Sequence, residues 1–135
     1  MKSINQIKYL KIASILIFLI ITFSNDKMYV PLGFLLINSI VFVFVDFLKG
    51  IIPLLALFGL SIILLIKIND LKSKIKIMIA YAFTYLFLAK IIVNKQFYVY
   101  DNDQLYFYIS SIIYIIISLY VLLRILHLEY NDKTI

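Results

Sequence analysis

The sequence predicts an all-α integral membrane helical bundle. Four transmembrane helices are joined by a basic N-terminal helix that is half-inserted or a fifth span. Three observations point to this class. Residues 105–123, LYFYISSIIYIIISLYVLL, run for 19 residues without a charge, and further apolar runs precede them. The hydrophobic fraction is 64% and the mean hydropathy +1.06, more than a small water-soluble fold can bury. None of the runs alternates apolar and polar residues, so a transmembrane β-barrel is not indicated, and helices satisfy their own backbone in lipid. The 135 residues suffice for a single membrane-embedded domain, 1–135, with no repeat or linker dividing it.

The first apolar run, 12–23, is short for a full crossing. Upstream of it Lys2, Asn5, Lys8, Lys11 and Ser14 recur every third residue. They form a polar stripe opposite Ile4, Ile7 and Leu10, as in a helix lying along a membrane surface. A basic start before an apolar run also has the look of a signal peptide, but Ile21-Thr22-Phe23-Ser24 is a poor cleavage site, so retention is expected.

The helices expected to cross are 28–45, 51–66, 75–93 and 104–126. Ser24 to Lys27 separates the first two apolar runs, and Asp46 to Gly50 separates the next two, with Pro53 in the first turn of the helix that follows. The connector Lys67 to Lys76 is basic, with Asn69-Asp70 as a cap, and Asp103 is the expected N-cap of the last helix.

Lys and Arg number 13 against 7 Asp and Glu, a net charge of +6. These cations flank apolar runs, so the partner they indicate is the anionic inner leaflet of a bilayer rather than nucleic acid. Placing Lys2, Lys8, Lys11, Lys27, Lys67, Lys72, Lys74, Lys76, Arg124 and Lys133 inside leaves only Lys49, Lys90 and Lys95 outside. This arrangement needs a non-crossing first helix; when all five cross, the cations divide almost evenly. It puts the 67–76 connector and the C-terminus in the cytosol, and residues 25 and 72 on one side of the cytoplasmic membrane.

The candidate functional residues are few. Asp46 is an acid between apolar segments, read first as the polar tip of a tight outer hairpin and second as an intramembrane functional group. Asn38 sits mid-run beside Ser39 and reads as interhelical glue. Lys90 lies near the end of its run, where its stem lets the ammonium reach the interface. Arg124 and His127 share the face on which the last helix leaves the membrane, a place that suits cations. Lys67, Lys72, Lys74 and Lys76 make the basic cytosolic loop. Ser111 and Ser118, and likewise Ala80 and Thr84, read as packing seams. Phe97, Tyr98, Tyr100, Tyr106, Phe107 and Tyr108 read as an outer aromatic belt around Asp101-Asn102-Asp103.

No catalytic, cofactor-binding or metal-binding residues are expected. The chain has no cysteine, which removes disulfides and thiolate metal sites, and only three glycines. Asp46-x-x-x-Gly50 resembles a spacing in some phage holins, though a handful of identities in an apolar background defines no family. The expected function is that of a non-enzymatic accessory or partner-binding subunit, immunity-protein-like in class, recognising a membrane-protein partner or a second copy through its helix surfaces. The rivals are a self-associating, holin-like pore former and a small transporter subunit.

Overall fold

The computed structural model describes residues 2–25, 28–68, 70–93 and 101–127. The expectations for Asn69, Phe97, Tyr98 and Tyr100 lie outside them. The elements in order are α1 (Lys2–Ile20), β1 (Thr22–Asn25), β2 (Met28–Pro31), α2 (Leu32–Val45), α3 (Phe47–Leu65), α4 (Leu71–Val93) and α5 (Asp101–Leu126). The fold is helical apart from one short hairpin. Among the described residues two helices, Leu71–Val93 and Leu105–Leu126, are long and apolar enough to cross a membrane, while Leu32–Val45 and Gly50–Leu65 are shorter apolar helices.

The difference from four full-length spans begins at the hairpin. Residues 22–25 and 28–31 pair antiparallel, Thr22 opposite Pro31 and Asn25 opposite Met28. The β-branched and aromatic residues Thr22, Phe23, Tyr29 and Val30 favour strand. The hairpin closes on the α1 terminus, where the Leu32 amide donates to the Ile21 carbonyl at 2.8 Å. It draws residues 28–31 out of the helix expected over 28–45. The remaining 14 residues of α2 span only about 21 Å, short of the roughly 30 Å of a hydrocarbon core.

Other boundaries also move. Asp46 is the single non-helical residue between α2 and α3, so α3 restarts at Phe47 and Pro53 falls inside it rather than in its first turn. Neighbouring helices and side chains can satisfy a carbonyl freed by such a proline. α4 starts at Leu71 instead of 75. α5 already includes Asp101, so Asp103 lies within the helix rather than before it.

The turn at Asp46 folds α2 back on α3. A Cβ on Gly50 would meet the Val43 backbone nitrogen at 2.5 Å, so only glycine lets the two helices close there. α3 and α4 pack along their length, joined by a short connector and therefore antiparallel. Gly59 lies against Ala80: a Cβ at 59 would stand 2.6 Å from the Ala80 carbonyl oxygen. Small residues at a helix crossing let the two backbones approach into dispersion contact.

α1 packs against α5, α2 and α3. Its buried face is Ile7, Lys11, Ser14, Phe18 and, just past its end, Ile21. The polar stripe expected to face a membrane surface is thus split. Lys8 is exposed, while Lys11 and Ser14 turn into the bundle. The reason is that partners await them there, as described below. Ser14 lies level with Tyr81 and Phe18 with Phe87, so α1 and α4 run in the same direction. The α4–α5 connection is too short for a parallel return, at about 3.5 Å per residue, so α5 runs antiparallel to both.

Candidate functional site

The interior of the bundle is a seam of hydroxyl groups where α1, α4 and α5 meet. Ser14 Oγ and the Tyr81 hydroxyl are hydrogen-bonded at 2.8 Å. Thr84 Oγ1 and the Tyr114 hydroxyl lie 2.6 Å apart, as do the Tyr85 hydroxyl and Ser118 Oγ. Several of these groups also donate to a carbonyl one turn back in their own helix: Ser14 to Lys11, Thr84 to Tyr81 and Ser118 to Ile115. Around them the rings of Phe18 and Tyr114 stack tilted at 4.9 Å between centroids, with Tyr85 edge-on to Tyr114 at 6.0 Å. Each tyrosine carries an apolar ring into the core and a hydroxyl that must find a partner there.

Ser111, one turn before Tyr114, shares this side of α5, and its Oγ is the one buried side-chain polar atom without a hydrogen-bond partner among the described residues. Ala80, Thr84, Ser111 and Ser118 are all buried, so both expected seams lie at helix contacts. Tyr81, Tyr85 and Tyr114 were not singled out from the sequence, and Lys11 was assigned to a stripe facing the membrane surface. The available signal was spacing: Tyr81 and Tyr85 lie one turn apart on α4 flanking Thr84, and Ser14 continues the face of Ile7 and Lys11.

At one end of the seam Lys11 Nζ donates to the Ile66 carbonyl at 2.7 Å. That carbonyl is just past α3, where helix-terminal oxygens lack intrahelical partners and a cation meets the negative end of the dipole. This contact seats α1 beside the basic connector. The C-terminus of α5 reaches the same end, so Lys8, Lys67, Lys72, Lys76, Arg124 and His127 gather there, all exposed. Lys74 departs from this pattern and is buried. Arg124 Nε donates to the Tyr120 hydroxyl at 3.0 Å with the guanidinium 5.5 Å from the ring centroid. The His127 amide closes the last turn on the Leu123 carbonyl at 3.0 Å.

The other candidates are dispersed. Lys90 is half-buried in the last turn of α4, at the opposite end of the bundle. Asp46 is half-buried at the α2–α3 turn, its carbonyl accepting the Gly50 amide at 3.0 Å. Asn38 is half-buried beside Ser39, whose hydroxyl bonds the Leu36 carbonyl. No family model, curated protein or solved structure matches the chain. Of the expected aromatic belt, Tyr106 and Tyr108 are exposed but Phe107 is fully buried. It belongs to the core because it falls on the inward face with Ser111 and Tyr114.

Asp70 caps α4. Its carboxylate accepts the Ser73 amide at 2.8 Å, and its own amide donates to Ser73 Oγ at 3.2 Å, a reciprocal capping arrangement. The Ser73 amide, aided by the Ser73 hydroxyl and then by Lys72 and Lys76, holds this carboxyl below its usual range. A depressed folded-state value means that the cap contributes fully at neutral pH and loses its contribution as pH falls through that depressed value. The Ser73 amide resonance of protein in micelles should therefore titrate with a midpoint below that of an ordinary aspartate. A midpoint at or above the ordinary value would rule this out.

The Thr84–Tyr114 pair gives a second test. Tyr114→Phe and Thr84→Val are each expected to destabilise the protein by about 1 kcal/mol, and the double variant by less than the sum, with coupling of about 0.6–1 kcal/mol. Strict additivity in detergent unfolding would show that the hydroxyls contribute nothing through each other.

Proposed function

We propose that the protein is a multi-pass subunit of the cytoplasmic membrane that acts without catalysis by binding a larger membrane protein. The supporting observation is the outward surface of its two long helices. Along α5, Leu105, Ile109, Ile112, Ile116, Leu119 and Leu123 are exposed, and α4 exposes Ile79, Leu86 and Val93. Such a surface is stable in lipid and offers a partner helix contact area, whereas the connectors between helices are short. On this reading α1, α3, α4 and α5 cross the bilayer, and α2, too short to span it, returns the chain to the start of α3 on the outer side.

The same reading gives a topology. The basic end faces the cytosol, with the N-terminus, the 67–76 connector and the C-terminus together on that side. It is supported by the parallel course of α1 and α4 and by the Lys11–Ile66 contact. Residue 25 lies beyond the end of α1 remote from Lys11, because the buried face of α1 runs on to Phe18, and this reading therefore puts it across the bilayer from residue 72.

The test is isolation from membranes in a gentle detergent, together with a membrane-potential measurement on overexpression. One specific co-purifying membrane protein and unchanged potential are expected. Depolarisation with no specific partner would replace this reading by that of a self-associating pore.

A further inference from the structure

We infer that α4 carries a binding site for a single anionic phospholipid of the cytosolic leaflet, its headgroup held by Lys67, Lys72 and Lys76 and its acyl chains lying along the exposed stripe of the same helix. This deepens the membrane reading and rests on it.

Charge and shape both support the site. Lys72 and Lys76 stand one turn apart on α4, and Lys67 leads into the connector that precedes it; all three are exposed. Lys8 joins them from α1, one turn before the Lys11 anchor on Ile66. The acid nearest to them, Asp70, is engaged by the Ser73 amide at 2.8 Å and serves as the helix cap. Lys11 and Lys74, which the sequence places in the same basic group, are buried and take no part. The structure thus divides the cations of this end into those that hold the bundle and those that face outward.

The shape argument favours a lipid over a soluble phosphate. Lys72, Ile75, Ile79, Ala82 and Leu86 follow one another at alternating steps of three and four residues, so they line one face of α4, and all are exposed. From Ile75 to Leu86 this apolar face extends about 16 Å, close to half of a hydrocarbon core of roughly 30 Å. A cationic head followed by one leaflet's depth of apolar helix matches a phospholipid with a negative headgroup. Free phosphate or a nucleotide would use the lysines and leave the stripe unused.

The test uses the full-length protein reconstituted in phosphatidylcholine vesicles containing a minority of phosphatidylglycerol. The lipid that remains with the protein after mild solubilisation is then quantified. Phosphatidylglycerol should be enriched over its bulk fraction. The triple variant Lys67→Gln, Lys72→Gln, Lys76→Gln should lose at least about fivefold of that enrichment, the effect expected of one lysine near an anionic surface. The corresponding triple arginine variant should retain it, and Lys90→Gln at the opposite end should behave as the unaltered protein. Inorganic phosphate should compete no better than chloride at equal ionic strength. Equal enrichment in the glutamine variant, or displacement by phosphate alone, would overturn the inference. Failure of the protein to enter vesicles at all would instead overturn the membrane reading on which it rests.

Discussion

Phe18→Ala is expected to destabilise the protein by about 3–5 kcal/mol, as for a fully buried aromatic residue. Phe18 has no exposed surface and its ring meets Tyr114 at 4.9 Å and Phe87 at 6.3 Å, so one side chain joins α1, α5 and α4. Detergent-induced unfolding of purified protein measures the loss, and Leu16→Ala, on the exposed side of the same helix, serves as the control. If α1 merely lay on the membrane surface, both substitutions would cost less than about 0.5 kcal/mol, as surface changes do. The result therefore decides whether the N-terminal segment is an appendage or a member of the core. It bears equally on the signal-peptide likeness, because removal of α1 would expose the Tyr81 and Tyr114 hydroxyl seam.

Gly59→Leu is expected to prevent normal packing of α3 on α4, with a sharp fall in the amount of folded protein recovered from membranes. Even Gly59→Ala places a methyl group 2.6 Å from the Ala80 carbonyl oxygen, a contact that backbone atoms can relieve only by moving the helices apart. Overpacking of this kind costs about 1–3 kcal/mol. At Gly33 the nearest atom is the end of the Leu19 side chain at 3.3 Å, which can rotate away, so Gly33→Ala should be tolerated. Similar recovery of the Gly59→Leu and Gly33→Ala variants, by thermal stability in detergent, would show that the α3–α4 crossing is looser than described.

Helical class and the placement of charge were legible because they depend on composition and local periodicity. The uncharged run 105–123 lies within one continuous helix, Asp101–Leu126, and the apolar run 77–93 lies within α4. The serine and alanine–threonine spacings on α4 and α5 also pointed to helix contacts, since such spacing places residues on one face wherever the helix sits. The face of α1 was misread for a physical reason. Lys11 and Ser14 are polar, and polarity alone assigns them to water or headgroups. They are buried because the Ile66 carbonyl and the Tyr81 hydroxyl, 55 and 67 residues away along the chain, complete their hydrogen bonds. The length of α2 was misread likewise: Met28 to Pro31 are apolar enough for a helix, and pairing with Thr22 to Asn25 takes them into a strand.

The sequence by itself determined that the chain is helical, that its composition is strongly apolar and that most of its cations flank apolar runs. These properties are sums over neighbouring residues. Only the tertiary structure decided which lysines hold the bundle and which face outward, that α1 belongs to the core, and that the Tyr81 hydroxyl and the Tyr114 ring join it there. Each of those outcomes depends on a partner distant in sequence, and a buried polar group is stable only once that partner is in place.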